Sequence, residues 1–200
     1  MFIKLLPQKL DKTGLITKFL SKTICILLLS IFFSFITLPS KAQYSATKVK
    51  IALIVHFIEH TTFPPEAFKS PKEMIQIGIL GDDPFGDELE SFLMHYKING
   101  RGLRVRRKKK ASDLWGCQVI YISKSEQGKL SDILDYFRRY PTLTIGDNLK
   151  GFIEQCGIIN FVTVDNKPYR FELNIEAAQK SNLGLDVGLF RMAKRIVACP

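Results

Sequence analysis

Apolar residues in "ATKVKIALIVHFIEH", 46–60, fall at 49, 51, 53, 54, 55, 57 and 58. That density predicts a largely buried helix, ended by the Pro64-Pro65 pair. "MIQIGIL", 74–80, predicts a strand, and "PFGDELESFLMHY", 84–96, a helix with Phe85, Leu89, Phe92, Leu93 and Tyr96 on one side. "NGRG", 99–102, is a turn, and "LRVRRKK" begins with strand alternation, Leu103 and Val105 opposite Arg104 and Arg106. "CQVIYIS", 117–123, predicts a buried central strand. The serine and acidic first turn of "SEQGKLSDILDYFRR", 125–139, predict a helix. "TLTIG", 142–146, is a strand, and "NLKGFIEQCG", 148–157, a short helix closed by Gly157. "IINFVTVDNKPYRFELN" predicts two strands about a turn at Asp165-Asn166-Lys167. "IEAAQKSNL" and "DVGLFRMAKRIV" predict two closing helices.

This order predicts an α/β fold. It is a single three-layer domain with a mostly parallel sheet, helices on both faces and a C-terminal antiparallel hairpin.

The first 42 residues stand apart. Lys4, Lys9, Lys12, Lys18 and Lys22 precede the apolar run "ICILLLSIFFSFITL", 24–38, and then "PSKAQ", with Ser40 and Ala42 at the spacing of a signal peptidase site. A basic start, an apolar run of about 7–15 residues and small residues before a cut make a secretory signal. The run falls short of the roughly 20 residues of a membrane helix. Residues 1–42 are therefore expected to be removed, leaving a periplasmic domain over 43–200. The whole chain has 29 Lys and Arg against 19 Asp and Glu. Six of those lysines and one aspartate lie in 1–42, leaving 23 basic and 18 acidic residues. Export also excludes ATP, GTP and chromosomal DNA as partners.

Candidate chemistry is sparse. "GILGDDPFGDELE", 78–90, sets carboxylates where a strand meets a helix. Asp82, Asp83, Asp87 and Glu88 would repel a phosphate there, and the glycine spacing is wrong for a dinucleotide fingerprint. A phosphoacceptor domain needs an aspartate ending the central strand, where Ser123 and Lys124 stand. The expected roles are structural: Asp83 caps the helix, Pro84 takes its first position, and the acids complement its positive end. "HFIEH", 56–60, has the H-x-x-E-H order of inverted zinc proteases, which requires a third ligand. Glu126 and Glu154 are available, nothing selects either, and no metal site is assigned. "RGLRVRRKKK", 101–110, lacks the aromatics that stack nucleic-acid bases. It reads as an edge strand guarded by charge, or as a contact for anionic headgroups or an acidic partner. Cys117, Cys156 and Cys199 remain after the leader, without CxxC spacing, and allow one intramolecular bridge at most. No catalytic set, cofactor site or metal site emerges, so the protein is not expected to be an enzyme.

The joint order of these segments resembles the YfiR family of periplasmic proteins. The resemblance runs through "HFIEHTTFPPEAF", "IGILGDDPFGDELE", "KINGRGLRVRR", "DLWGCQVIYIS", "LTIGD", "GFIEQCGIINFV", "YRFELNIEAAQKSNLGL" and "LFRMAKRIV", about residues 46–198. It implies a non-catalytic negative regulator that restrains a membrane-bound GGDEF-domain diguanylate cyclase through its periplasmic sensor region. Cyclic-di-GMP and biofilm output fall as a result. It also implies an α/β sandwich that can form a homodimer. Where the family usually has tryptophan before the first proline, this chain has Phe63. Cys117 and Cys156 fall at or near cysteine positions of disulfide-bearing members, so Cys117, Cys156 and Cys199 are the disulfide or redox candidates. Val49, Ala52, Leu53, Val55 and Phe57 cannot all face one way at about 100° per residue. Leu53 and Phe57 of this set, together with Phe63, are the candidate partner-binding residues. The alternative reading is a periplasmic small-molecule-binding or sensor domain.

Overall fold

The computed structural model describes residues 41–164 and 167–198. The chain divides into two units, Met1–Lys41 and Ala42–Pro200, and the second carries the fold. Its first half contains α1 (Lys41–Glu59), β1 (Thr61–Thr62), β2 (Ile75–Leu80), α2 (Asp87–Leu93), β3 (Lys97–Ile98), β4 (Arg101–Lys108) and β5 (Val119–Ile122). Its second half contains α3 (Leu130–Phe137), β6 (Leu143–Asp147), β7 (Ile159–Val164), β8 (Lys167–Asn174), α4 (Ile175–Lys180), β9 (Gly184–Leu185), α5 (Val187–Met192) and β10 (Arg195–Val197). Among the described residues, no helix is long and apolar enough to cross a membrane.

Eight strands make one sheet in the order β10-β8-β7-β6-β5-β2-β4-β3. β4, β2, β5, β6 and β7 run parallel. β8 returns antiparallel to β7, as the apolar pattern of 158–174 predicts. β5 and the first four residues of β6 are buried throughout, because layers cover both faces. One face packs Ile77, Ile79, Tyr121, Ile145 and Phe161 beneath Ile51, Ile54, Phe57 and Ile58 of α1 and Leu89 and Leu93 of α2. The other packs Ile120 and Ile122 beneath Leu130, Ile133, Leu134 and Phe137 of α3, with Leu114, Phe152 and Ile153.

Three expectations are corrected. Residues 148–157 form consecutive turns rather than a helix. Asn148, Gly151 and Cys156 have φ of 54°, 69° and 66°, left-handed positions that break a right-handed helix. The last apolar stretch is helical only to Met192. Beyond it Arg195–Val197 pair in parallel with Glu172–Asn174, and Arg195 bonds both Glu172 (2.9 Å) and Glu154 (2.8 Å). Finally, α2 starts at Asp87 behind Gly86, whose φ of 53° ends the preceding turn. Asp83 therefore braces that turn, accepting from the N–H groups of Phe85 (2.8 Å) and Gly86 (3.1 Å), instead of capping the helix itself.

Candidate functional site

The carboxylates after β2 are engaged by bases from β4 and the residue just beyond it. Arg107 Nε donates to Asp83 Oδ2 at 2.6 Å, and its Nη2 reaches Glu90 Oε2 and the Gly86 carbonyl at 2.8 Å each. The hydrogen bonds with Glu90, then Asp83, hold the Arg107 guanidinium above its usual pKa, and the hydrogen bond from Arg107 holds the Glu90 carboxyl below its usual range. Lys109 Nζ donates to Asp82 Oδ1 at 2.8 Å and to the Gly81 carbonyl at 3.1 Å. The pair of acids thus anchors the C-terminal half of β4. Among the described residues no three His, Cys, Asp or Glu side chains are grouped to hold a metal ion.

A second charge cluster sits at the carboxyl end of β6. Lys50 Nζ of α1 lies 2.9 Å from both oxygens of Asp147. The Tyr121 hydroxyl of β5 donates to Asp147 Oδ2 at 2.6 Å. The lysine and aspartate side chains are only 18% and 16% exposed, and Tyr121 is fully buried. Burial first, then the Asp147 charge, pushes the Tyr121 phenol far above its usual pKa, so it remains a donor. These three groups tie α1 to the middle of the sheet. Lys50, set between the apolar Val49 and Ile51 of α1, and the acid ending "LTIGD" were the available signals.

α1 offers a mixed face. Val49, Leu53 and His56 are half-buried and Ala52 is exposed, at the i, i+3, i+4, i+7 spacing of one stripe. Phe57, one turn beyond Leu53 at the border of the buried face, is fully buried, its ring 5.6 Å from that of Phe161 and 4.8 Å from that of Phe171. Phe57 thus serves the core, whereas Leu53 remains accessible. Phe63 is half-buried against Phe68 and, with Thr62, Pro65 and Pro71, lines a cavity of about 400 Å³. The two histidines of H-x-x-E-H lie together, ring centroids 4.2 Å apart. Burial, then the neighbouring His60, holds the His56 imidazole below its usual pKa, with Glu59 opposing. His60 Nδ1 is 3.7 Å from Asp186, at the start of α5. The pair joins α1 to the C-terminal segment, where Asp186 N–H also donates to the His60 carbonyl at 3.0 Å.

The three cysteines part ways. Cys117 is free and buried, and burial raises its thiol pKa against the opposing pull of Arg106, leaving little thiolate. Cys156 is disulfide-bonded. Cys199 lies outside the described residues, as do residues 1–40 of the expected export signal.

The profile of the YfiR/HmsC-like family matches residues 47–194, from the first turns of α1 to the end of α5. No curated protein matches the chain. Among solved structures, a conserved domain protein from Vibrio cholerae O1 biovar El Tor str. N16961 is similar at 13% identity and a TM-score of 0.47. The likeness covers 74% of this chain and 60% of that one, so the chain spans well under two thirds of that protein's length. With a family match extending over nearly the whole described fold, this chain belongs to the YfiR/HmsC-like family.

Proposed function

We propose that the chain is a non-catalytic periplasmic regulator that restrains a membrane-bound GGDEF-domain diguanylate cyclase and so lowers cyclic-di-GMP. The observation that carries this reading is the family match over 47–194, since that family regulates diguanylate cyclase signalling from the periplasm. In this reading residues 1–42 act as the export signal and are removed. The cyclase is engaged through its periplasmic sensor region by the outer stripe of α1 and the adjoining Phe63. Leu53 and Phe63 are apolar and only half-buried, as a protein-docking surface requires.

Aspartate substitutions separate contact from core. Leu53→Asp and Phe63→Asp are expected to cost no more than about 1–2 kcal/mol of stability, because both side chains already meet solvent. Each should still raise cellular cyclic-di-GMP toward the level of a gene deletion. Phe57→Asp buries a charge among aromatic rings and should unfold the domain, a loss of more than about 4 kcal/mol. Thermal melting and cyclic-di-GMP assay of the three variants check this. Folded Leu53 and Phe63 variants that repress normally would place the contact elsewhere.

A further inference from the structure

β4 is eight residues long, yet β3 covers only its first two, pairing Ile98 with Arg101 and Lys97 with Gly102. The chain enters β3 at Lys97 directly from the turn after α2, where Tyr96 N–H bonds the Leu93 carbonyl at 2.9 Å. Among the described residues no strand lies beside Leu103–Lys108 on that side. The backbone parity there is fixed at both ends. The Lys108 carbonyl accepts from Gly81 N–H beyond β2, so the even-numbered groups of β4 face β2. The two-residue turn Asn99-Gly100, with φ of 51° and 78°, makes Ile98 and Arg101 a mutually bonded pair, so the odd-numbered groups face outward. The N–H and C=O groups of Leu103, Val105 and Arg107 therefore point off the sheet.

A groove of about 490 Å³ lies along this edge, lined by Met74, Leu93, Met94, Tyr96, Leu103 and Val105 among others. Met74, Met94 and Tyr96 are 37%, 72% and 37% exposed, three of the seven exposed large apolar side chains among the described residues. An edge guarded only against aggregation would not carry that surface. Opposite the Leu103 and Val105 face, Arg104 and Lys108 are exposed, and among the described residues neither meets a carboxylate. Arg106 is held by the carbonyls of Asp113 and Trp115.

From this edge we infer that the β4 margin takes an extended segment of a partner protein as an added strand, one that alternates apolar and acidic residues. Main-chain bonds to Leu103, Val105 and Arg107 would hold it, its apolar side chains would enter the groove, and its carboxylates would face Arg104 and Lys108. A second copy of this chain fits poorly, because β4 against β4 sets arginine and lysine beside arginine and lysine. The inference rests on the regulatory reading only in taking the occupant to be a protein.

The test uses protein from the periplasm of cells expressing the full chain, and a short fluorescent peptide alternating valine and glutamate. Fluorescence anisotropy should show saturable binding, absent for the valine–lysine peptide and for a peptide of the same composition with its glutamates grouped at one end. Val105→Pro removes one outward N–H and leaves the β2 ladder intact, because proline is tolerated on such an edge. It should weaken binding about tenfold or more, as expected for loss of one or two main-chain hydrogen bonds plus steric exclusion. Arg104→Glu with Lys108→Glu should transfer preference to the valine–lysine peptide, which keeps the test open should Val105→Pro not fold. Equal binding of the grouped and alternating peptides would overturn the inference in favour of charge alone. So would binding to phosphatidylglycerol vesicles without peptide binding, or a dimer in light scattering that Val105→Pro dissociates. Because the cyclase is absent from the assay, failure here leaves the regulatory reading standing.

Discussion

Gly157→Ala is expected to leave little folded protein, although it adds one methyl group. A Cβ at 157 would stand 2.1, 2.3 and 2.5 Å from three carbons of the Phe152 ring. That ring is fully buried, and its opposite flank is no freer, because a Cβ at Gly146 of β6 would meet it at 2.8 and 2.9 Å. Phe152 is thus wedged between two glycines, one in the central sheet and one in the loop that replaces the expected helix. With no direction in which to retreat, overpacking should cost about 3 kcal/mol or more. Phe152→Leu alone should cost roughly 1–2 kcal/mol. Added to Gly157→Ala, it should recover part of the loss, a coupling that urea unfolding of the single and double variants would reveal. A Gly157→Ala protein melting within a few degrees of the parent would contradict this packing.

Asp147→Ala should also be strongly destabilising. It leaves the Tyr121 hydroxyl buried without its acceptor and Lys50 facing apolar Phe161, whose ring centroid is 5.8 Å from the ammonium. A buried ion pair broken from one side costs about 3–5 kcal/mol, and the partial exposure of Lys50 and Asp147 puts this one near the lower figure. Asp147→Asn, which keeps an acceptor for Tyr121, should lose less. Lys50→Met combined with Asp147→Leu should recover much of the stability, since an apolar pair carries no desolvation penalty. Hydrogen exchange should show α1 loosening first in Asp147→Ala, because Lys50 is its polar tie to the sheet. Stability unchanged in Asp147→Ala would show that this tie carries no weight.

How much was legible in the sequence depended on the range of the interactions involved. β2, β5 and β6 declared themselves because strands covered on both faces are apolar without interruption. The parallel sheet followed from their alternation with helices. Residues 148–157 misled because the spacing of Phe152 and Ile153 fits a helix, while the left-handed Asn148 and Cys156 that stop it leave no periodic trace. The strand at 195–197 was hidden for a different reason. Its pairing depends on Glu172 and Glu154 receiving Arg195, contacts 23 and 41 residues away. Lys50 and Asp147 are 97 positions apart, and each alone resembles an ordinary surface charge. At the candidate site, Leu53 could be proposed from an excess of apolar residues, and Phe63 from its place in the family resemblance. Phe57 could not be sorted from them until α1 was placed, because a helix with too many apolar positions does not announce which ones the core takes. The charged alternation of β4 was equally plain, but its open margin depends on β3 being only two residues long.

The central claim is that this domain restrains cyclic-di-GMP synthesis from outside the cytoplasmic membrane. Cellular cyclic-di-GMP, measured in a strain lacking the gene and complemented with either the full chain or residues 43–200 without a leader, tests it most directly. The account predicts that deletion raises the nucleotide several-fold, that the full chain returns it to the parental level, and that the leaderless chain does not. Cyclic-di-GMP unchanged by the deletion under every growth condition tried, or fully restored by the leaderless chain, would contradict it.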